Sequence, residues 1–122
     1  MALTVLHPLS EADAVCHTAS VATSPIVANA RAPFRGKITK VWSVLGAAIT
    51  SADATVVVAI NGTSVTGGTI TIPTVSSAAG SFASAVPTAL NLVNEDDVIS
   101  FLASGATGTA TPCTFGAVIR RT

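Results

Sequence analysis

The residues able to carry acid–base, nucleophilic or metal chemistry are few, and their spacing keeps them apart. The chain has two histidines, His7 and His17, and two cysteines, Cys16 and Cys113. Cys16 and His17 are sequence neighbours, and on a strand neighbours point to opposite faces, so they cannot form a thiolate–imidazole pair there. A zinc site needs three or four ligands at characteristic spacing, which this scatter does not provide. Glu95-Asp96-Asp97 is a run of three acids, whereas a calcium loop spreads its oxygen ligands over about 12 residues. It reads as a solvated turn. Gly67-Gly68 is followed by neither Lys-Ser/Thr nor a helix and is no phosphate loop. Asn61-Gly62-Thr63 matches a glycosylation sequon, but with no secretion signal it reads as turn chemistry. The expectation is a protein without enzymatic activity, metal or cofactor.

Binding chemistry is scarcely richer. Arg31, Arg35, Lys37 and Lys40 cluster, and Arg120-Arg121 lie near the end. Nucleic-acid binding needs a basic footprint; here six Lys plus Arg balance six Asp plus Glu, and there is no tyrosine to stack on bases. The basic stretch reads as a contact patch for an acidic protein surface, or as a solvated strand edge. Sugar binding needs an exposed ring, and the single tryptophan, Trp42, is expected in the core.

Hydrophobic residues make up 49% of the 122, aromatics 4% and charged residues 10%, the last against about 25% in ordinary soluble domains. The core must therefore come from Val, Ile, Leu and Ala. A surface so poor in charge tends to associate, so a homo-oligomer or a larger assembly is expected to cover it; the alternative is that Ser and Thr supply the polarity. Cys16 and Cys113 could pair, but free buried thiols in a reducing compartment are the favoured reading. No apolar run approaches the roughly 18 residues that span a bilayer, and Met1–Pro8 lacks a signal-peptide pattern. Cytoplasmic synthesis without membrane association is expected.

These residues must be positioned by strands. β-Branched residues, short apolar runs and Gly, Pro, Asn and Asp punctuation recur throughout. Ser10–Val15 offers at most a turn of helix. Strands are expected near 14–20, 26–32, 37–45, 55–60, 63–65 with 69–72 after a break, 81–86, 98–103 and 112–120, about eight in all. In the third, Ile38, Trp42 and Val44 share a face at period two, and Lys40 interrupts it, which points to a bulge or an edge. The strand at 55–60 is apolar at nearly every position, as for a centre strand covered on both sides. Asn61-Gly62 signals a type I′ hairpin, and Gly67-Gly68 a flexible break. The last strand alternates, with Cys113, Phe115, Ala117 and Ile119 inward. Short strands without helices argue for an antiparallel eight-stranded jelly-roll sandwich, with an immunoglobulin-like sandwich as the alternative. The organisation expected is one domain, with an N-terminal arm and first strand in 1–25 and the sandwich body in 26–122.

The stretch ARAPFRGKITKVWSVLGAAITSADATVVVAINGTSVTGG (30–68), the NEDDVISF segment and the closing FGAVIRR together resemble tailed-phage capsid decoration, or cementing, proteins. The resemblance covers more than half the chain and rests on turns and strands, with no catalytic signature. It implies a jelly-roll homo-oligomer, often a trimer, on the outer capsid surface, bridging subunits of the major capsid protein. It also implies an N-terminal arm reaching neighbouring subunits. Leu3, Val5, Leu6 and Leu9 would supply apolar contacts, and Arg31, Arg35 and Lys37 electrostatic steering. A receptor- or glycan-binding knob of a phage fibre is the second expectation.

Overall fold

The computed structural model describes residues 11–22, 26–50, 52–106 and 110–122. Among these residues nine strands pack as two antiparallel sheets. They are β1 (Glu11–Thr18), β2 (Ile26–Arg31), β3 (Gly36–Leu45), β4 (Ala54–Ile60), β5 (Thr63–Ile72), β6 (Phe82–Ala85), β7 (Leu92–Val93), β8 (Val98–Ser104) and β9 (Cys113–Arg121). Sheet I runs β1-β9-β3-β6, with β7 also on β3; sheet II runs β2-β8-β4-β5. The chain crosses repeatedly between the sheets, giving the jelly-roll sandwich expected. Glu11–Val15 is extended within β1, not helical, and β1 pairs along its whole length with β9.

Alternation builds the core. Ile99, Phe101 and Ala103 of β8 and Cys113, Phe115, Ala117 and Ile119 of β9 all point inward and are buried. Phe101 and Phe115 meet between the sheets, ring centres 5.3 Å apart and nearly parallel, within the range where offset aromatic pairs add to simple burial. Val, Ile, Leu and Ala supply most of the rest.

Four details differ from the sequence expectation. The described residues hold nine strands, the added one being the two-residue β7, which carries no periodicity of its own. β5 is continuous through Gly67-Gly68, where a flexible break was expected. There the ladder with β4 shifts register between Val57 and Ala59, and Thr66 turns aside to pair with Ala89. Gly67, at φ 77, permits this detour. β4 sits centrally in its sheet, but only one face is covered: Val56, Val58 and Ile60 are buried, while Thr55, Val57 and Ala59 are half-buried on the outer side.

The fourth difference is in β3. Ile38 pairs with Ile119 and Lys40 with Val118, so Thr39 is an extra residue. The expected bulge is present, and it inverts the alternation beyond it. Ile38 stays buried, but Val41, Ser43 and Leu45 turn inward while Trp42 and Val44 turn outward. Trp42 is therefore not a core residue.

Candidate functional site

The outer face of sheet I is a grid fixed by strand register. One row reads Val15, Gly116, Trp42, Ser84 across β1, β9, β3 and β6; the row beside it reads His17, Thr114, Val44, Phe82. The Trp42 side chain crosses β9 and covers Gly116, where a Cβ would lie 2.2 Å from Cζ2. Only glycine leaves that space. The indole Nε1 donates to Asp13 Oδ1 of β1 at 3.3 Å. Phe82 is 57% exposed, and its ring is offset from Trp42, centres 6.5 Å apart and planes 21° apart. Lys40 Nζ stands 5.2 Å from the Phe82 ring centre. His17 Nδ1 is 3.4 Å from Thr114 Oγ1.

A second feature lies at the end of the sandwich where β1 begins. Glu11, Arg120, Lys37 and Leu92 form one cross-sheet row, and Arg120 donates to Glu11 at 2.9 Å. Beside it a groove of ≈ 490 Å³ is lined by Lys37, Ile60, Thr63, Leu90, Asn91 and Leu92. Asn91 is clamped to the start of the β3 bulge. Its carbonyl accepts from Ile38 N–H at 2.8 Å, and its Nδ2 donates to the Ile38 carbonyl at 2.7 Å. Across from β3, Thr88 N–H donates to the Thr66 carbonyl. Segment 88–93 is thus tied to both sheets. From it Leu90 and Leu92 project into solvent, 64% and 69% exposed, and Leu90 is held at φ 55. A left-handed backbone costs a non-glycine residue about 1–2 kcal/mol.

The residues singled out from sequence do not form one patch. Leu3, Val5, Leu6 and Leu9 lie outside the described residues; the described chain begins at Glu11, in the same row as Lys37 and Leu92. Arg31 is ion-paired with Asp96, Lys40 reaches the Trp42–Phe82 face, and Arg35 lines a separate hollow with Gly36, Leu92, Val93, Asn94 and Thr122. Lys37 alone of that set lines the larger groove. Asp97 accepts from Asn94 N–H and from Asn61 Nδ2. These bonds hold its carboxyl below the usual range, the Asn94 bond most, so the acidic corner anchors the Asn61 hairpin. Cys16 and His17 point to opposite faces, as alternation requires. Burial pushes the thiols up, Cys16 to about 11 and Cys113 to about 12, away from nucleophilic use near neutrality. Sequence reasoning missed Phe82, Leu90, Asn91 and Leu92. No motif marked them, because the bulge and the two-sheet tie create their setting.

No protein-family model matches the chain, and no curated relative matches it. Among solved structures it is similar to CsCBM6-3 from Clostridium stercorarium in complex with cellobiose, at 18% identity, 78% of this chain, 66% of that chain and a TM-score of 0.50. It is also similar to a glycoside hydrolase family 43 arabinoxylan arabinofuranohydrolase from Bacillus subtilis in complex with cellotetraose. There the identity is 15%, the coverage 98% of this chain and 28% of that chain, and the TM-score 0.54. The chain thus spans just under two-thirds of the first protein and little more than a quarter of the second. What is shared at these identities is the jelly-roll β-sandwich fold.

Proposed function

We propose that this protein is a non-enzymatic virion structural protein that decorates a phage capsid from outside and stabilises it by bridging shell subunits. Its partners are the major capsid protein and further copies of itself, most simply as a trimer. The observation that carries the reading is Leu90. A bulky side chain held at positive φ is an outlier that glycine would avoid. Its side chain is mostly exposed beside an exposed Leu92, so the isolated fold gains little from it. Contact with another subunit supplies the missing reason. The low charge content supports the same reading, as does the apolar row Val27, Leu102, Val57 on the outer face of sheet II, exposed at Val27 and Leu102. Leu90 and Leu92 share one end of the sandwich with Glu11, where the described residues begin, and that end is the side we assign to the shell.

Leu90→Gly tests this directly, because it removes the side chain and the backbone strain together. Thermal unfolding should stay within a few degrees of wild type, while the sedimenting species shrinks and retention on purified capsids weakens. Lowered stability with unchanged assembly would show instead that Leu90 serves the fold.

The second reading, a receptor- or glycan-binding module, is favoured by one specific observation: Trp42 and Phe82 stand outside the core. The fold is also shared with two proteins solved with bound cello-oligosaccharides.

A further inference from the structure

We infer that the Trp42–Phe82 face of sheet I is a stacking site for a neutral, extended oligosaccharide; the inference rests on the second reading above. Five features of the face define the ligand chemistry.

The first is the glycine opposite Trp42. The indole is laid across β9 because position 116 has no Cβ, and it is pinned there by its bond to Asp13. A ring held by a neighbouring residue loses little conformational freedom when a ligand settles on it, which is what preorganisation contributes to affinity. The second is the partner ring. Phe82 sits on the four-residue edge strand β6, more than half exposed and nearly parallel to the indole. A centre-to-centre distance of 6.5 Å is too long for full face-to-face overlap; Phe82 keeps more than half of its surface open, and the half-buried Trp42 offers the part of its ring that is not laid on β9. The two offset rings suit two successive sugar rings rather than one flat ligand.

The third feature is the rim. Ser84 is outward and exposed beside Trp42, Lys40 offers three donors beside Phe82, and Asp13 has a second carboxylate oxygen beside the indole N–H. Donors and acceptors thus surround an apolar centre, the pattern that orients a ligand with apolar faces and hydroxyl edges. The fourth is charge. Lys40 and Asp13 offset each other, so nothing on the face selects an acidic or a basic ligand. The fifth is openness. The site lies on a sheet surface, and Phe82 also borders a hollow of ≈ 160 Å³ lined by Pro73, Val75 and Ser76, which lengthens the surface a chain could follow.

The chain's single tryptophan, with no tyrosine present, makes intrinsic fluorescence a direct report on the site. The full chain is titrated with cellohexaose, xylohexaose and maltohexaose, and with an oligogalacturonate as the charged control. The expected result is a saturable change in Trp42 emission with at least one neutral oligosaccharide and none with the charged one. By calorimetry, Phe82→Ala should weaken that binding roughly tenfold, the upper end of a single aromatic contact, and Trp42→Ala should abolish it. Circular dichroism checks both variants for the fold, and Phe82→Ala, on an exposed edge, keeps the test open if Trp42→Ala misfolds. Binding that both folded variants retain would overturn the site and leave the glycan reading standing. No binding to any neutral probe would overturn that reading with it. Preference for the charged control would overturn the neutral class. A change in sedimentation with Phe82→Ala and no sugar binding would assign the face to a second copy of the chain.

Discussion

Asn61 and Gly62 show how much one dipeptide can decide. Both lie at positive φ, 49° and 90°, as a type I′ turn requires. Asn61 does more than turn the chain: its Nδ2 donates to Asp97 and its Oδ1 accepts from Val98 N–H, tying the β4–β5 hairpin to the corner before β8. A Cβ on Gly62 would meet nothing within 4 Å, so any cost of substitution is backbone strain alone. Gly62→Val should lower unfolding free energy by about 1–2 kcal/mol in a denaturant titration; an unchanged midpoint would remove the strain argument. The cysteines set a second residue-scale expectation. Their folded pKa values, about 11 and about 12, lie above the value of 9 expected once unfolded. The neutral thiol is thus the form the fold favours. Stability from this source is intact below pH 9 and declines as pH rises toward 11 and 12. Urea midpoints measured from pH 7 to 11 should fall, and Cys113→Ala should flatten the fall relative to its own neutral value.

At the scale of elements, the bulge at Thr39 separates what was legible in the sequence from what was not. Lys40 interrupts the apolar face of β3, and that break signalled a bulge. Its consequence could not be read locally, because an inserted residue reverses every side chain after it. The same strand therefore delivers Trp42 to the surface and Ser43 to the core. The β8 and β9 patterns were legible because nothing interrupts their period. β7 and the Leu90 segment were not, since their positions come from hydrogen bonds to Ile38 and Thr66, far away in the chain. Ser43 carries the cost of the inversion. Its hydroxyl is buried with no hydrogen-bond partner among the described residues, and an unsatisfied buried hydroxyl costs about 1–3 kcal/mol. Ser43→Ala should therefore raise the denaturation midpoint, with a gain of about 1 kcal/mol. A loss of stability would mean that the hydroxyl has a partner in solution.

The whole molecule is a sandwich whose inner faces are closed and whose outer faces are unusually apolar for so little charge. Val27, Leu102 and Val57 line one side, Val15, Trp42 and Phe82 the other, and Leu90 and Leu92 one end. Interfaces of standard size bury about 800 Å² per partner, and a module with three uncovered apolar regions can offer such area to several neighbours at once. All nine strands of the described residues lie beyond Ser10. Deleting Met1–Ser10 should therefore leave thermal unfolding cooperative and near the wild-type midpoint while reducing retention on capsids; loss of the fold would make the arm part of the core. The proposal that these surfaces hold a shell together is tested most directly by imaging the parent particle with and without this protein. Regularly spaced density over the whole outer shell is expected, present with the protein and missing without it. Density confined to the vertices or the tail, or a shell unchanged by its removal, would contradict it.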